Sequence, residues 1–243
     1  MPTISIITAA YNAATTMADC LRSMSSQAHA AEHIIIDGAS TDSTLNIVRR
    51  ISSAARIYSE PDRGIYDAMN KGMANASGEF IWFLNAKDTI HDGAFLGTLD
   101  WSQDFYYGGV VLRNGEREVK RLMPRPEIGP HSSLIGQVAC HQSMIVRRSL
   151  APAYDLRYRF VADFDWSIRI LGFRGLKSQR IESHWVNYEL DGLSSRNVAK
   201  CWKENIDILT RNYGAWARPW AYGLYARFRL KAGVKKLIRP GGA

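Results

Sequence analysis

The chain has 243 residues, 46% hydrophobic and 22% charged, the balance of an ordinary globular protein rather than a disordered or fibrous one. Its formal charge of +8 is unevenly placed: residues 211–243 carry eight Lys or Arg and no acid, whereas residues 1–210 carry 23 of each sign. A neutral body of that size excludes a protein that coats nucleic acid through a basic surface, and no run approaches the ~18 apolar residues of a transmembrane helix.

In chain order, residues 4–8 (Ile-Ser-Ile-Ile-Thr) form an apolar run that predicts a buried strand. Asn12-Ala13-Ala14-Thr15 then opens a helical stretch through Leu21 and Met24. Residues 33–37 predict a second strand, closed by Gly38. Ser40-Thr41-Asp42 can cap the next helix, which turns Leu45, Val48 and Ile51 to one side. Residues 56–59 predict a third strand, 66–76 a helix, and 80–84 a fourth strand apolar throughout, hence covered on both faces. Strands alternating with helices mean a parallel α/β sheet.

The pattern changes beyond residue 100. Residues 104–119 predict strands and a hairpin turning at Asn114-Gly115, and 122–136, with Pro124, Pro126 and Pro130, a loop. A strand over 143–146, a helix over 163–171, a strand over 181–188, a polar loop over 191–196 and a helix through Trp202, Ile206 and Leu209 complete a single body, 1–210. Its organisation is expected as a nucleotide-binding half (1–100) and an acceptor-binding half (101–210). Cys20, Cys140 and Cys201 are too scattered for a disulfide framework or a zinc site, and no signal-peptide pattern precedes the first strand, so a cytoplasmic location is expected.

In an open parallel sheet, ligands bind beyond the carboxyl ends of the strands. Four polar clusters fall there: 8–12, Asp37, Glu60-Pro61-Asp62-Arg63-Gly64, and Asn85-Ala86-Lys87-Asp88. Each has a plainer reading, since Asn12 or Asp42 can cap a helix and Asp62 can hold a turn. Together they describe one edge lined with carboxylates. Neither the glycine-rich dinucleotide fingerprint nor the P-loop is present. A carboxylate edge suits a base and ribose held by Asp, with a diphosphate bridged through a divalent cation.

The runs Ser5-Ile6-Ile7-Thr8 with Tyr11-Asn12, Ile35-Ile36-Asp37-Gly38-Ala39-Ser40-Thr41-Asp42, Ser59-Glu60-Pro61-Asp62-Arg63-Gly64-Ile65-Tyr66-Asp67-Ala68-Met69-Asn70-Lys71-Gly72 and Gly78-Glu79-Phe80-Ile81-Trp82-Phe83-Leu84-Asn85-Ala86-Lys87-Asp88 resemble a family 2 inverting glycosyltransferase of the GT-A fold. Within it, they are similar to the subgroup that builds bacterial capsule, colanic-acid-type and O-antigen repeat units. The resemblance covers about 1–200.

The resemblance implies an α/β GT-A fold: a Rossmann-like half with a mainly parallel sheet, an acceptor-binding half and C-terminal helices. It implies that Tyr11 stacks on the nucleotide base, Asp37 bonds the base edge and Thr8 lines the same pocket. Asp62, Arg63, Asp67 and Lys71 then flank ribose and phosphates. The family's D-x-D motif is degenerate here, with Asn85 and Lys87 at the Asp positions, which leaves Asp88 as the candidate ligand for Mn²⁺ or Mg²⁺. Lys87 either replaces part of that cation's charge or points to solvent, and His184 is a further candidate ligand. Residues 161–169 resemble the family's Glu-Asp base motif with Ala162 in place of Glu, so Asp163 falls on the general base; a helix-start acid serving the dipole is its plainer role. Gln142 and His141 fall among the acceptor contacts; His141 would contact the acceptor or position Asp163, or serve structure alone. Ser195 and Arg196 fall in a mobile loop that closes over the donor, Arg196 toward the diphosphate.

These residues predict transfer of a sugar from a nucleoside diphosphate, UDP first, to a glycan acceptor carried on polyprenyl diphosphate. The tail mixes its cations with Trp216, Trp220, Tyr222 and Phe228, which suits an anionic membrane surface and a position peripheral to the inner membrane. A C-terminal helix packed on the body, for which Pro219 favours a start that would leave Trp216 outside, is the plainer alternative. Two rivals remain: a nucleotide-binding pseudo-enzyme, motivated by Lys87 and Ala162, and a nucleic-acid-binding protein using the tail, which the neutral body disfavours.

Overall fold

The computed structural model describes residues 3–25, 31–190 and 192–238, the side chains of 193 and 231–238 excepted. Asp191, Arg239 and the side chains of Lys231, Lys235 and Lys236 therefore lie outside the described residues.

The first half is an α/β winding: β1 (Ile4–Ala10), α1 (Met17–Met24), β2 (Ala31–Asp37), α2 (Thr44–Ile51), β3 (Arg56–Ser59), α3 (Ile65–Asn75) and β4 (Phe80–Phe83). β5 (Thr89–Ile90), the hairpin β6 (Phe105–Asn114) and β7 (Arg117–Leu122), β8 (Met144–Arg147), α4 (Ala162–Leu171) and β9 (Ser178–Glu189) follow. Three helices end the chain: α5 (Leu193–Arg196), α6 (Val198–Tyr213) and α7 (Ala217–Ile238).

Among the described residues the strands form one sheet in the order β3-β2-β1-β4-β8-β6-β9-β5, with β7 on the outside of β6. The β3-β2-β1-β4 portion is parallel, β8 joins it antiparallel to β4, and β6 and β9 are parallel to each other. The sheet thus runs unbroken from the predicted nucleotide half into the predicted acceptor half.

Alternation along each strand fills two layers. Ile7, Ile36, Ile81 and Phe83 face α3, α4, α6 and the start of α7, where Met69, Trp166, Ile208, Ala217 and Ala221 meet them. Ile4, Ile6, Ile35 and Trp82 face α1 and α2, against Leu21 and Val48, with Phe95 and Trp185 stacked at 4.2 Å farther along. Each fully buried side chain of this kind contributes about 1.5–3 kcal/mol. Continuous apolar strands are what a sheet covered on both faces demands.

Four boundaries differ from the sequence reading. Residues 12–15 do not open α1; Asn12 is left-handed (φ 47°) and the helix begins at Met17. The 122–136 segment contains a short 3₁₀ turn, Ser132–Ile135. The 191–196 loop holds the short helix α5. α7 begins at Ala217, two residues before Pro219, whose missing N–H falls in the first turn, where it has no helical partner to lose. Trp216 does lie outside the helix.

Candidate active site

The edge where β1, β2 and β4 end bears a cavity of ≈ 540 Å³, lined by residues 9–13, Asp62, Tyr66, residues 85–88, His141, Arg159, Asp163, Tyr188, Glu189 and Arg196, among others. Tyr11, 66% exposed, presents its ring at the rim. Gly38 sits so close behind that a Cβ there would lie 2.5 Å from Asp62 Oδ2 and 3.4 Å from the Tyr11 ring. A side chain at 38 would therefore push apart the two groups that frame this end of the cavity.

The loops after β1 and β2 hold each other. Asn12 N–H donates to Ser40 Oγ (2.8 Å), and Asn12 Oδ1 accepts from Thr41 N (2.9 Å). Asn12 and Ala39 both occupy the left-handed region, at φ 47° and 61°. Such strain in residues with a Cβ persists only where surrounding bonds fix it.

Several predicted binding residues are engaged within the scaffold. Asp37 is fully buried and does not line the cavity; Ser40 N (3.0 Å) and Ser59 Oγ (2.7 Å) donate to Oδ2, and Ser40 Oγ to Oδ1. Thr8 is also buried, its hydroxyl 3.1 Å from His33 Nε2. Arg63, Asp67 and Lys71 tie the loop before α3 to that helix. Asp67 accepts from Arg63 N (3.0 Å) and Nη2 (3.2 Å), and Lys71 Nζ reaches Pro61 O (2.8 Å) and Glu60 Oε1 (2.7 Å). Only Asp62 of that group reaches the cavity. Ser195 caps its own turn by donating to Gly192 O, and His184 pairs across β6 with Gly109, away from the cavity.

Asp88 lies 4% exposed at the cavity floor. Its Oδ2 accepts from Gln142 Nε2 (2.6 Å) and its Oδ1 from Glu189 N (2.8 Å). Burial pushes its pKa up to about 6, against those two hydrogen bonds. Gln142, read from the sequence as an acceptor contact, is fully buried and is a clamp: its Oε1 accepts from Asn85 N (2.7 Å) and its carbonyl from Trp82 Nε1 (2.7 Å). Among the described residues no three His, Cys, Asp or Glu side chains gather as a metal-ligand group. One carboxylate with substrate phosphates is nevertheless a donor set that Mg²⁺ accepts. Asn85 Oδ1, a buried oxygen with no hydrogen-bond partner among the described residues, is a second hard donor on the same lining.

Asp163 stands in the first turn of α4. Tyr66 Oη donates to its Oδ1 at 2.9 Å, and His141 Nδ1 lies 3.2 Å from its Oδ2. Burial raises its pKa, but His141, by hydrogen bond and charge, and Tyr66 outweigh it, so the carboxylate is held below its ordinary value. The neighbouring chain is fixed by Glu204, whose carboxylate accepts from the backbone N–H groups of Arg159 (2.9 Å), Phe160 (2.9 Å) and Val161 (3.1 Å). Asn70 pins the two halves together by bonding Tyr154 N (2.7 Å) and O (3.0 Å). Asp165 turns elsewhere, to Arg169 at 2.7 Å.

Tyr66, Arg159 and Tyr188 also line the cavity and had no role from the sequence. Tyr66 was legible only as part of a motif; its place became a role once α3 and α4 were seen to meet. Asp163 further lines a second cavity, ≈ 610 Å³, on the side of α6 and α7. One ionised carboxylate thus borders two compartments.

A parallel half-sheet with carboxylates at its edge, joined to a mixed half that brings Asp163 to the same cavity, has the GT-A fold of glycosyltransferases. The chain belongs to glycosyl transferase family 2, whose model matches residues 5–176. It is 32% identical over 232 residues to a PGL/p-HBAD biosynthesis glycosyltransferase of Mycobacterium bovis (strain BCG / Pasteur 1173P2), with 86% of each chain covered. Its fold is similar to that of S. aureus TarS 1–349 in complex with UDP-GlcNAc (TM-score 0.65, 17% identity, 93% of this chain and 71% of that one). It is similar also to the mannosyltransferase PcManGT from Pyrobaculum calidifontis in complex with GDP-Man and Mn²⁺ (TM-score 0.63, 14% identity, 98% and 81%).

Proposed function

We propose that this glycosyltransferase works by inversion, moving a sugar from a nucleoside diphosphate, UDP first, to a hydroxyl of a lipid-linked glycan in bacterial surface polysaccharide synthesis. The observation that carries this reading is Asp163, kept ionised by His141 and Tyr66 between two cavities. The donor occupies the cavity at the sheet edge: Tyr11 against the base, Asp62 near the ribose, Arg159, Arg196 and Lys87 toward the diphosphate. Asp37 supports the base end through Ser40 rather than by direct exposure.

An acceptor hydroxyl at Asp163 loses its proton to a carboxylate oxygen as its own oxygen bonds the anomeric carbon. The bond from that carbon to the diphosphate oxygen breaks, and its electron pair leaves with the nucleoside diphosphate. A single base suffices because the opposite face of the carbon carries the leaving group. A divalent cation at Asp88 would neutralise charge on the diphosphate; the Mn²⁺ in the PcManGT complex supports this for the fold.

The test is Asp163→Asn, which keeps the shape and removes the base. A positioned general base is worth about 10²–10⁴-fold in rate, so turnover should fall by that order with the affinity for UDP unchanged. Turnover equal to that of the unaltered protein would remove Asp163 from the reaction.

A further inference from the structure

A single run of chain, residues 159–164, separates the two cavities. Arg159 and Phe160 line the one at the sheet edge, Val161 and Asp163 line both, and Phe164 lines the second. Residues 159–161 lie outside any strand or helix, so no ladder takes up their backbone N–H groups. One carboxylate from α6 takes all three: Glu204 Oε1 accepts from Arg159 N at 2.9 Å, and Oε2 from Phe160 N at 2.9 Å and Val161 N at 3.1 Å. Hydrogen bonds to an ionised acceptor are about twice as strong as neutral ones. The clamp reaches the base through one peptide unit. The Val161 N–H held by Glu204 shares a plane with the Phe160 carbonyl, so fixing one fixes the other. That carbonyl lies 3.2 Å from Tyr66 Oη, the hydroxyl that donates to Asp163 at 2.9 Å.

We infer that Glu204 is a positioning residue for the transfer: through these backbone N–H groups it holds Arg159, on the donor side, and Asp163, on the acceptor side, in one fixed relation. This rests on the glycosyl-transfer reading and adds to it a residue that lines neither cavity. Docking α6 does not require Glu204. Ile208 and Leu209 of that helix are buried in the core, Asp207 accepts from Tyr158 Oη at 2.8 Å, and Asn212 Nδ2 donates to Asp165 Oδ1 at 2.9 Å. Glu204 therefore acts from a helix already held, on a run whose side chains serve both substrates. Displacing a reacting group by about 1 Å can cost about 100-fold in rate, so a clamp of this kind matters to the chemistry as well as to the fold. A glutamine at 204 would offer one acceptor oxygen and turn an NH₂ group against amide N–H groups.

The experiment is Glu204→Gln in the full chain, with two readouts that need no acceptor. Calorimetric binding of UDP should weaken about tenfold, and Arg159→Ala should add little further loss in that background, although it weakens binding alone. In a carbon-13 NMR titration, the Asp163 carboxyl should titrate at higher pH in the variant, because it stays desolvated while its alignment with Tyr66 and His141 loosens. Cys140, Tyr154, Tyr188 and Cys201 also face Asp163, and the substitution alters none of them. Asp207→Asn, the loss of another carboxylate from the same helix, should leave both readouts unchanged. Unmoved UDP affinity or an unmoved Asp163 titration in folded Glu204→Gln protein overturns the inference, as do equal effects of Asp207→Asn. If the variant does not fold, amide exchange in the unaltered protein decides: 159–161 should exchange slowly without ligand, and exchange at the rate of an open loop overturns the clamp. Failure of UDP to bind the unaltered protein would instead count against the donor reading, and the Asp163 titration would still decide the role of Glu204.

Discussion

Asp163 shows how little local sequence determines a catalytic group. Its ionisation depends on Tyr66, 97 positions away in α3, and on His141, which precedes β8. Because its pKa in the folded state is depressed, the carboxylate contributes stability that is complete above the ordinary aspartate range and is lost as pH falls through the depressed value. The same depression keeps the base ionised below the ordinary aspartate value. Tyr66→Phe removes one donor and leaves burial less opposed, so the acid limb of kcat/KM should move to higher pH. A pH–rate profile checks this, and a limb that does not move, or moves lower, would show that Tyr66 does not hold the proton balance. Asp163 was legible because a motif marked it. Tyr66 and Asn70 lay inside a legible motif with no role, since a hydroxyl or amide reveals its partner only when distant segments meet. Asp37, Arg63, Asp67 and Lys71 carry charges that suggest a ligand, and the fold also gives them loop hydrogen bonds, a second use that sequence cannot distinguish from ligand contact.

Elements were read well where periodicity is strong. β1, β2, β3, β4 and α3 fall within two residues of their expected bounds because apolar runs and helical spacing reflect burial directly. The α1 start was missed because Asn12 bonds the β2–α2 loop instead of capping its own helix, a tertiary choice. α3 also carries a packing constraint at Gly72, where an added Cβ would lie 2.3 Å from Ile7 Cγ2 and 3.4 Å from Ile36 Cγ1. Alanine is about 0.8–1 kcal/mol better than glycine inside a helix. Overpacking against a branched residue in a filled core costs about 1–3 kcal/mol, so the steric term prevails. Gly72→Ala should therefore destabilise the protein by about 1–2 kcal/mol in urea unfolding; a gain in stability would show that α3 can shift off β1 without cost. Such a shift would also carry Tyr66 away from Asp163, so the variant should lose activity beyond its loss of stability.

At the scale of the whole molecule, the separation of charge between body and tail acquires a geometry. The helix α7 is both packed and exposed: Ala217 and Ala221 are fully buried in the core, and Trp220 donates its indole N–H to Leu134 O at 2.7 Å. Its other side leaves Tyr222 and Leu230 open to solvent, with Arg218 and Arg229 among them, and Trp216, just before the helix, is open as well. The packed-helix and membrane-contact readings of the tail are thus compatible, because one face serves each. Among the described residues no helix is long and apolar enough to cross a membrane. Adhesion through α7 would bring the seam where Trp202 meets Tyr225 and Phe228, and the second cavity that Asp163 borders, to the bilayer surface. Deleting 211–243 would strip Ala217 and Ala221 from the core, so substitution on the open face is the sound test. Arg218→Glu/Arg229→Glu should abolish most flotation with vesicles rich in phosphatidylglycerol, since each cation near such a surface is worth about 1 kcal/mol. Trp216→Ala/Tyr222→Ala should weaken it through lost interfacial burial, and binding by the unaltered protein should decline at high salt as screening shortens the field. Equal flotation of the unaltered and charge-reversed proteins, or equal binding to neutral phosphatidylcholine vesicles, would show that the basic tail is not a membrane address.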